Sequence, residues 1–284
     1  MFELLLQKPK PKNIKRPKLQ RRKHKNINKQ SEITTIEPPP IIEFPYQYTN
    51  IDVFVYCGGK CGSSTLHNTF EKNGLSSIQL HDQYYFRNFL YKNPDSKLTI
   101  FDVIDYNKRY KSNIYIIDAY RTPIERKISS FFQNIKKTIP NYMELSVEQL
   151  IEIFNTEYIY KLEEYKSIDE VFEYYKLPTF KTFDFNKKYS IFKKDNLTFI
   201  KLRFCDIKIW DSILSEIFEI NIEMYNKNLT ENKNTNQLYV DFKSKYKVPR
   251  KYIYRQLMKD VNLKIYNTEI ERNEYIAKWK MNMC

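Results

Sequence analysis

The chain contains only four glycines in 284 residues, and all of them lie between positions 58 and 74. Glycine alone adopts left-handed backbone and close chain approach freely, at a cost in backbone entropy, so a chain this poor in it confines its demanding turn geometry to one region. Three of the four fall within Cys57-Gly-Gly-Lys-Cys-Gly-Ser-Ser-Thr65. The apolar run Ile51-Asp-Val-Phe-Val-Tyr56 precedes that segment and reads as a strand. A helical pattern follows it through Phe70 to Asn73-Gly74. Gly74 suits the left-handed position that ends a helix. A strand entering a helix through a Gly-rich turn points to an α/β protein.

The later segments repeat the alternation. Ser76–Leu80 reads as a second strand, with helices over Gln83–Tyr91 and Leu98–Tyr110. Ile114–Tyr120 is apolar on both faces, as a buried parallel strand requires. Its successor opens with Thr122-Pro-Ile-Glu125, an N-cap threonine with Pro first and Glu third. Ile124, Ile128, Phe131 and Ile135 then mark a buried stripe. Ser146–Asn155 and Tyr158–Tyr175 read as helices, Tyr189–Phe192 and Leu197–Leu202 as strands, and Asp206–Phe218 as an amphipathic helix. Further helices fall near Tyr239–Tyr246, Lys251–Asp260 and Thr268–Met281. The expectation is an α/β fold in three layers, a central parallel sheet flanked by helices, with ligands at the carboxyl ends of its strands.

Charge divides the chain unevenly. Of 48 Lys+Arg, eleven fall in residues 1–30 against one acid there, Glu3. Seven of the twelve prolines precede residue 46. Such a segment buries too little apolar surface to offset its ordering entropy. Residues 1–48 are therefore expected to be a disordered basic tail, and 49–284 the α/β domain. The tail reads equally as an arm for an anionic partner or as a solvated segment without one. It has no aromatic residue between Phe2 and Phe44, so base stacking is not expected of it. No stretch approaches the roughly 18 apolar residues of a membrane span, and the start lacks a signal peptide's basic n-region. A soluble, cytoplasmic protein is the expectation. Four cysteines and three histidines form neither a disulfide framework nor a zinc pattern, and no metal is expected.

Two segments carry chemistry. In the first, a Gly-rich turn at a helix N-terminus aims backbone N–H groups and the helix dipole at one spot. Ser63, Ser64 and Thr65 add hydroxyls and Lys60 a mobile charge. This is either an anion cradle or an ordinary strand–turn–helix connection with a polar cap. It is not a Walker A loop, because Lys60 is followed by Cys61 and not by the Ser/Thr that holds magnesium. In the second segment, Arg121 leaves the strand end and Ser129 stands two turns into the next helix. Arg126, Ser129, Ser130 and Gln133 share a face away from the apolar stripe. A guanidinium with a hydroxyl suits a phosphate monoester.

Taken together, the strand–Lys/Ser/Thr loop–helix and the strand–Arg–Pro–helix with Ser eight residues after Arg resemble the sulfotransferase superfamily. Thr198–Asp206 resembles that family's late strand, and Lys264–Trp279 resembles the end of sulfotransferase-like proteins of capsular polysaccharide synthesis. The resemblance spans about Ile51 to Trp279. It implies a P-loop-like fold and a donor, 3′-phosphoadenosine 5′-phosphosulfate. Gly59, Lys60, Cys61, Gly62, Ser63, Ser64 and Thr65 would then hold the 5′-phosphosulfate, and Arg121 and Ser129 the 3′-phosphate. Gly58-Gly59 stands where the family has Pro before its lysine, Cys61 replaces a small residue, and no adenine-stacking aromatic is placed.

The reaction implied is sulfuryl transfer to a hydroxyl, with a carbohydrate acceptor by analogy. Lys60 would neutralise the bridging oxygen. His81, at the end of the second strand, is the candidate base, or else a structural residue hydrogen-bonded at a strand end, and Asp82 is the second choice. Two other readings are an ATP-dependent small-molecule kinase and a non-catalytic binding protein acting through its basic tail.

Overall fold

The structure is a computed structural model and describes residues 45–161, 168–225 and 236–284. The chain divides after Ile42, and the segment before it, with the basic tail expected over 1–48, lies outside the described residues apart from Pro45–Tyr48. Tyr48 already belongs to the core, buried with its ring edge-on to Phe86.

Five strands form one sheet: β1 (Val53–Tyr56), β2 (Ser77–Leu80), β3 (Ile114–Tyr120), β4 (Tyr189–Lys194) and β5 (Leu197–Arg203). Their order is β2-β1-β3-β5-β4. Between them run α1 (Ser63–Lys72), the short α2 (Gln83–Tyr85), α3 (Ile100–Tyr110), α4 (Pro123–Thr138), α5 (Val147–Ile153) and α6 (Ile168–Tyr174). After the sheet come α7 (Trp210–Phe218), α8 (Asn236–Lys245), α9 (Arg250–Arg255), α10 (Val261–Ile265) and α11 (Glu269–Met281).

The two-residue period of a strand sends alternate side chains to opposite faces. Phe54, Ile114, Ile116, Leu197 and Phe199 pack under Val103 and Ile104 of α3 and Val171 and Phe172 of α6. Val53, Val55, Ile117, Ala119, Ile200 and Leu202 pack under Leu66 and Phe70 of α1 and Trp210 and Leu214 of α7. The sheet is thus covered on both faces. A separate aromatic cluster joins α4, α5, α8, α9 and α11 around Phe131, Phe154, Phe242 and Trp279.

Several expectations are corrected. The sheet is not wholly parallel, because β4 runs antiparallel to β5. Only Asp195 and Asn196 separate the two strands, and Asp195 takes a left-handed φ of 54°. A two-residue turn of that kind makes a hairpin, whereas a parallel neighbour needs a long crossover. Tyr158–Tyr175 is not one helix. A wide π turn over Phe154–Tyr158 ends at Ile159, Tyr160 and Lys161 are not helical, and α6 covers Ile168–Tyr174; residues 162–167 lie outside the described ones. Gln83–Tyr91 likewise passes from α2 into a π turn over Phe86–Leu90. Thr122 begins α4 without a side-chain cap, and Glu125 does not complete a capping box, because it accepts from Tyr275 Oη at 2.6 Å and Lys278 Nζ at 3.2 Å. Asp206 does not start a helix. Its carboxylate takes two bonds from Arg203, and a 3-10 turn over Phe204–Ile209 precedes α7. The helix placed at Lys251–Asp260 is α9 and then a 3-10 turn over Leu257–Lys259.

Candidate functional site

The chain leaves β1 toward β2 and later crosses back to lay β3 on the other side of β1. In open parallel sheets, the loops that diverge at such a reversal open a crevice at the strands' carboxyl ends. The loop after β1 carries Lys60, and the loop after β3 carries Arg121.

The first loop is built on left-handed backbone at two places. Gly62 is the N-cap of α1 with φ 91°, and a Cβ there would fall 2.8 Å from Trp210 Cη2. Only glycine fits. Lys60 takes φ 69°, which costs a side-chain-bearing residue about 1–2 kcal/mol. No side chain among the described residues caps α1, and no acid lies in its first turn to meet the helix dipole. Ser63 is buried and accepts a bond from Gln79 Nε2 at 2.9 Å, which leaves its hydroxyl hydrogen to donate elsewhere. Ser64 is half-buried and Thr65 buried. Cys57 and Cys61 are fully buried, the first bonded to the Ile117 carbonyl and the second to that of Gly59. Burial, with Asp118 and Cys61 alongside, pushes the Cys57 thiol well up. Both are wall residues in this turn.

Arg121 meets that turn directly: its Nη1 donates to the Lys60 carbonyl at 2.9 Å. Its guanidinium carbon lies 4.4 Å from the centre of the Phe204 ring. Beside it opens a cavity of about 240 Å³, lined by Tyr120, Arg121, Arg126, Lys127, Lys161 and Tyr252 together with Pro123, Gln256, Asp260 and Asn262. The described lining residues include four cations and one carboxylate, Asp260, and the Lys127 ammonium donates to the Lys161 carbonyl at 2.6 Å. Burial raises the Asp260 carboxyl, although it accepts from Leu263 N and lies near Arg126. Ser129 is half-buried on α4 and is not part of the lining. Lys127, Lys161, Tyr252, Gln256 and Asn262 were not singled out from sequence. They come from distant segments with no shared motif, although Lys127 adjoins Arg126.

His81 follows β2 on the same rim. Its Nδ1 lies 2.8 Å from the Cys57 carbonyl, which can only accept, so Nδ1 carries a proton and, in the neutral imidazole, Nε2 offers the lone pair. Its ring meets Tyr85 edge-on at 4.8 Å. Asp82 instead caps α2, accepting from Tyr85 N at 2.6 Å. Beneath the rim, the α3/α6 face of the sheet turns polar toward its carboxyl end. Tyr56 donates to Glu170, and Lys201 pairs with Asp118 across β3 and β5. Burial opposes the charge on Lys201, but Asp118 outweighs it and holds the ammonium form above its ordinary value. Arg203 is buried and satisfied by Asp206, Glu271 and the Tyr266 carbonyl.

Comparison with protein-family models, curated proteins and solved structures yields no match. Among the described residues, no helix is long and apolar enough to cross a membrane.

Proposed function

We propose that this chain binds a phosphorylated adenosine nucleotide across the rim of a P-loop-like sheet and transfers a sulfuryl group to a hydroxyl acceptor. The donor would be 3′-phosphoadenosine 5′-phosphosulfate, which supplies the activated sulfuryl group, and the acceptor a carbohydrate. The observation that carries this reading is the bond between Arg121 and the Lys60 carbonyl. It places two anion-seeking segments, about sixty residues apart in sequence, on one edge.

Each residue then has a task. The uncapped start of α1 and the Ser63 hydroxyl donate to a terminal anionic group. Lys60 neutralises charge at the departing oxygen, since charge stabilisation carries most of the catalysis in transfers of this kind. Arg121 and the cavity cations hold the distal phosphate. Ser129 stands outside the cavity lining, so that end rests on Arg121 and its cationic neighbours. His81 accepts the acceptor's proton at Nε2.

Calorimetric titration with adenosine 3′,5′-bisphosphate tests the reading. The parent should bind, and Arg121→Ala should lose about 1.5–3 kcal/mol, roughly 10–150-fold, for one charge-assisted phosphate contact. Absence of binding by the parent contradicts the reading, and a preference for magnesium–ATP turns it toward a kinase.

A further inference from the structure

Phe204 lies one residue beyond β5, and nothing in the sequence marks it as functional. Its ring nevertheless touches both segments of the candidate site. Arg121 lies over it at 4.4 Å. The ring also abuts the Gly62 turn, where an added Cβ would come within 3.3 Å of Phe204 Cδ2. Trp210 braces Phe204 edge-on, with ring centres 6.3 Å apart and planes at 84°. Trp210 is itself fully buried and anchored by a 3.1 Å bond from Nε1 to the Arg203 carbonyl. Phe204 is therefore seated by the core, and Arg121 is seated on Phe204.

A guanidinium is a planar fork of five N–H donors. In Arg121 one donor goes to the Lys60 carbonyl, and the guanidinium carbon lies 4.4 Å from the centre of the Phe204 ring. Among the described residues no acceptor takes Nε or Nη2. The remaining edge belongs to a side chain that lines the cationic cavity. A guanidinium held within 4.4 Å of an aromatic ring's centre has fewer orientations open to it, and bidentate recognition of phosphate depends on the orientation of the fork.

We infer that Phe204 is a positioning residue: it fixes the orientation of Arg121 and holds the Gly62 turn beside it, so that both present donors to the same nucleotide. The inference rests on the reading that the Lys60 turn and Arg121 share one nucleotide. Phe204 does not itself touch the ligand and acts through Arg121.

A double-mutant cycle tests it, with adenosine 3′,5′-bisphosphate titrated into the parent, Phe204→Leu, Phe204→Tyr, Arg121→Ala and Phe204→Leu/Arg121→Ala. Phe204→Leu should weaken binding about tenfold, the order expected when a cation–π contact and its orientation are lost. Phe204→Tyr keeps the ring face and should stay within about twofold of the parent. In the Arg121→Ala background, Phe204→Leu should have no further effect, because its route to the ligand is gone. Phe204→Met replaces Phe204→Leu in the cycle if the leucine variant does not fold. Equal losses in both backgrounds, no rescue by tyrosine, or unchanged affinity in Phe204→Leu overturns the inference and leaves the nucleotide reading standing. A parent that does not bind overturns both.

Discussion

Lys60 and Gly62 differ in how the chain accommodates left-handed backbone. Lys60 bears the strain in a half-buried position and points its carbonyl at Arg121. Gly62 has no such latitude, because Trp210 fills the space where a Cβ would go. Gly62→Ala should destabilise the fold by about 2–5 kcal/mol, the sum of left-handed strain and overpacking, read as a lower urea midpoint. Gly59, where an added Cβ meets nothing within 4 Å, should accept alanine within about 0.5 kcal/mol. Equal effects at the two positions would contradict this account of the turn. For His81, the carbonyl partner at Nδ1 fixes the tautomer that a base at Nε2 requires. His81→Gln should lower turnover about 10²–10⁴-fold and leave affinity for adenosine 3′,5′-bisphosphate unchanged. Turnover within about twofold of the parent would assign His81 to structure alone.

At the scale of elements, α10 shows how a short helix and the cavity share one residue. Asp260 caps α10 at Leu263 N and also lines the cavity. Burial raises its folded carboxyl above the unfolded value. Its ionisation therefore opposes folding, and the parent loses stability as pH rises from below the unfolded value through the raised folded one. Asn caps as well as Asp. Asp260→Asn should match the parent in acid and become the more stable protein toward neutral pH, as followed by melting temperature across pH. The same variant removes a negative charge among cations and should bind adenosine 3′,5′-bisphosphate more tightly. A parent that gains on the variant as pH rises would reverse the sign argued here. The sequence disclosed all five strands, each a short run rich in apolar residues, but not the reversed direction of β4. It disclosed the Gly62 turn because glycine is so scarce. The reversal of that edge strand was legible in principle from the two residues, Asp195 and Asn196, between β4 and β5, a cue that apolar periodicity does not carry. The partners of Glu125 and Asp206 were not legible, since Tyr275 and Arg203 win those carboxylates through tertiary contact. The cavity was legible only at Arg121 and Arg126, because most of its other residues converge from the Lys161 loop, the end of α9 and α10.

In the domain as a whole, the strand order brings the loops after β1 and β3 together at the switch point, and half-buried Phe204, braced by the buried Trp210, lies against both. On the proposed reading, these loops form one site for one nucleotide. Amide hydrogen exchange with and without adenosine 3′,5′-bisphosphate tests it most directly. The account predicts slower exchange on binding in residues 59–66 and in residues 121–127 alike, with both effects reduced in Arg121→Ala. Slowing in one of these segments without the other, or only at a remote surface, would contradict it.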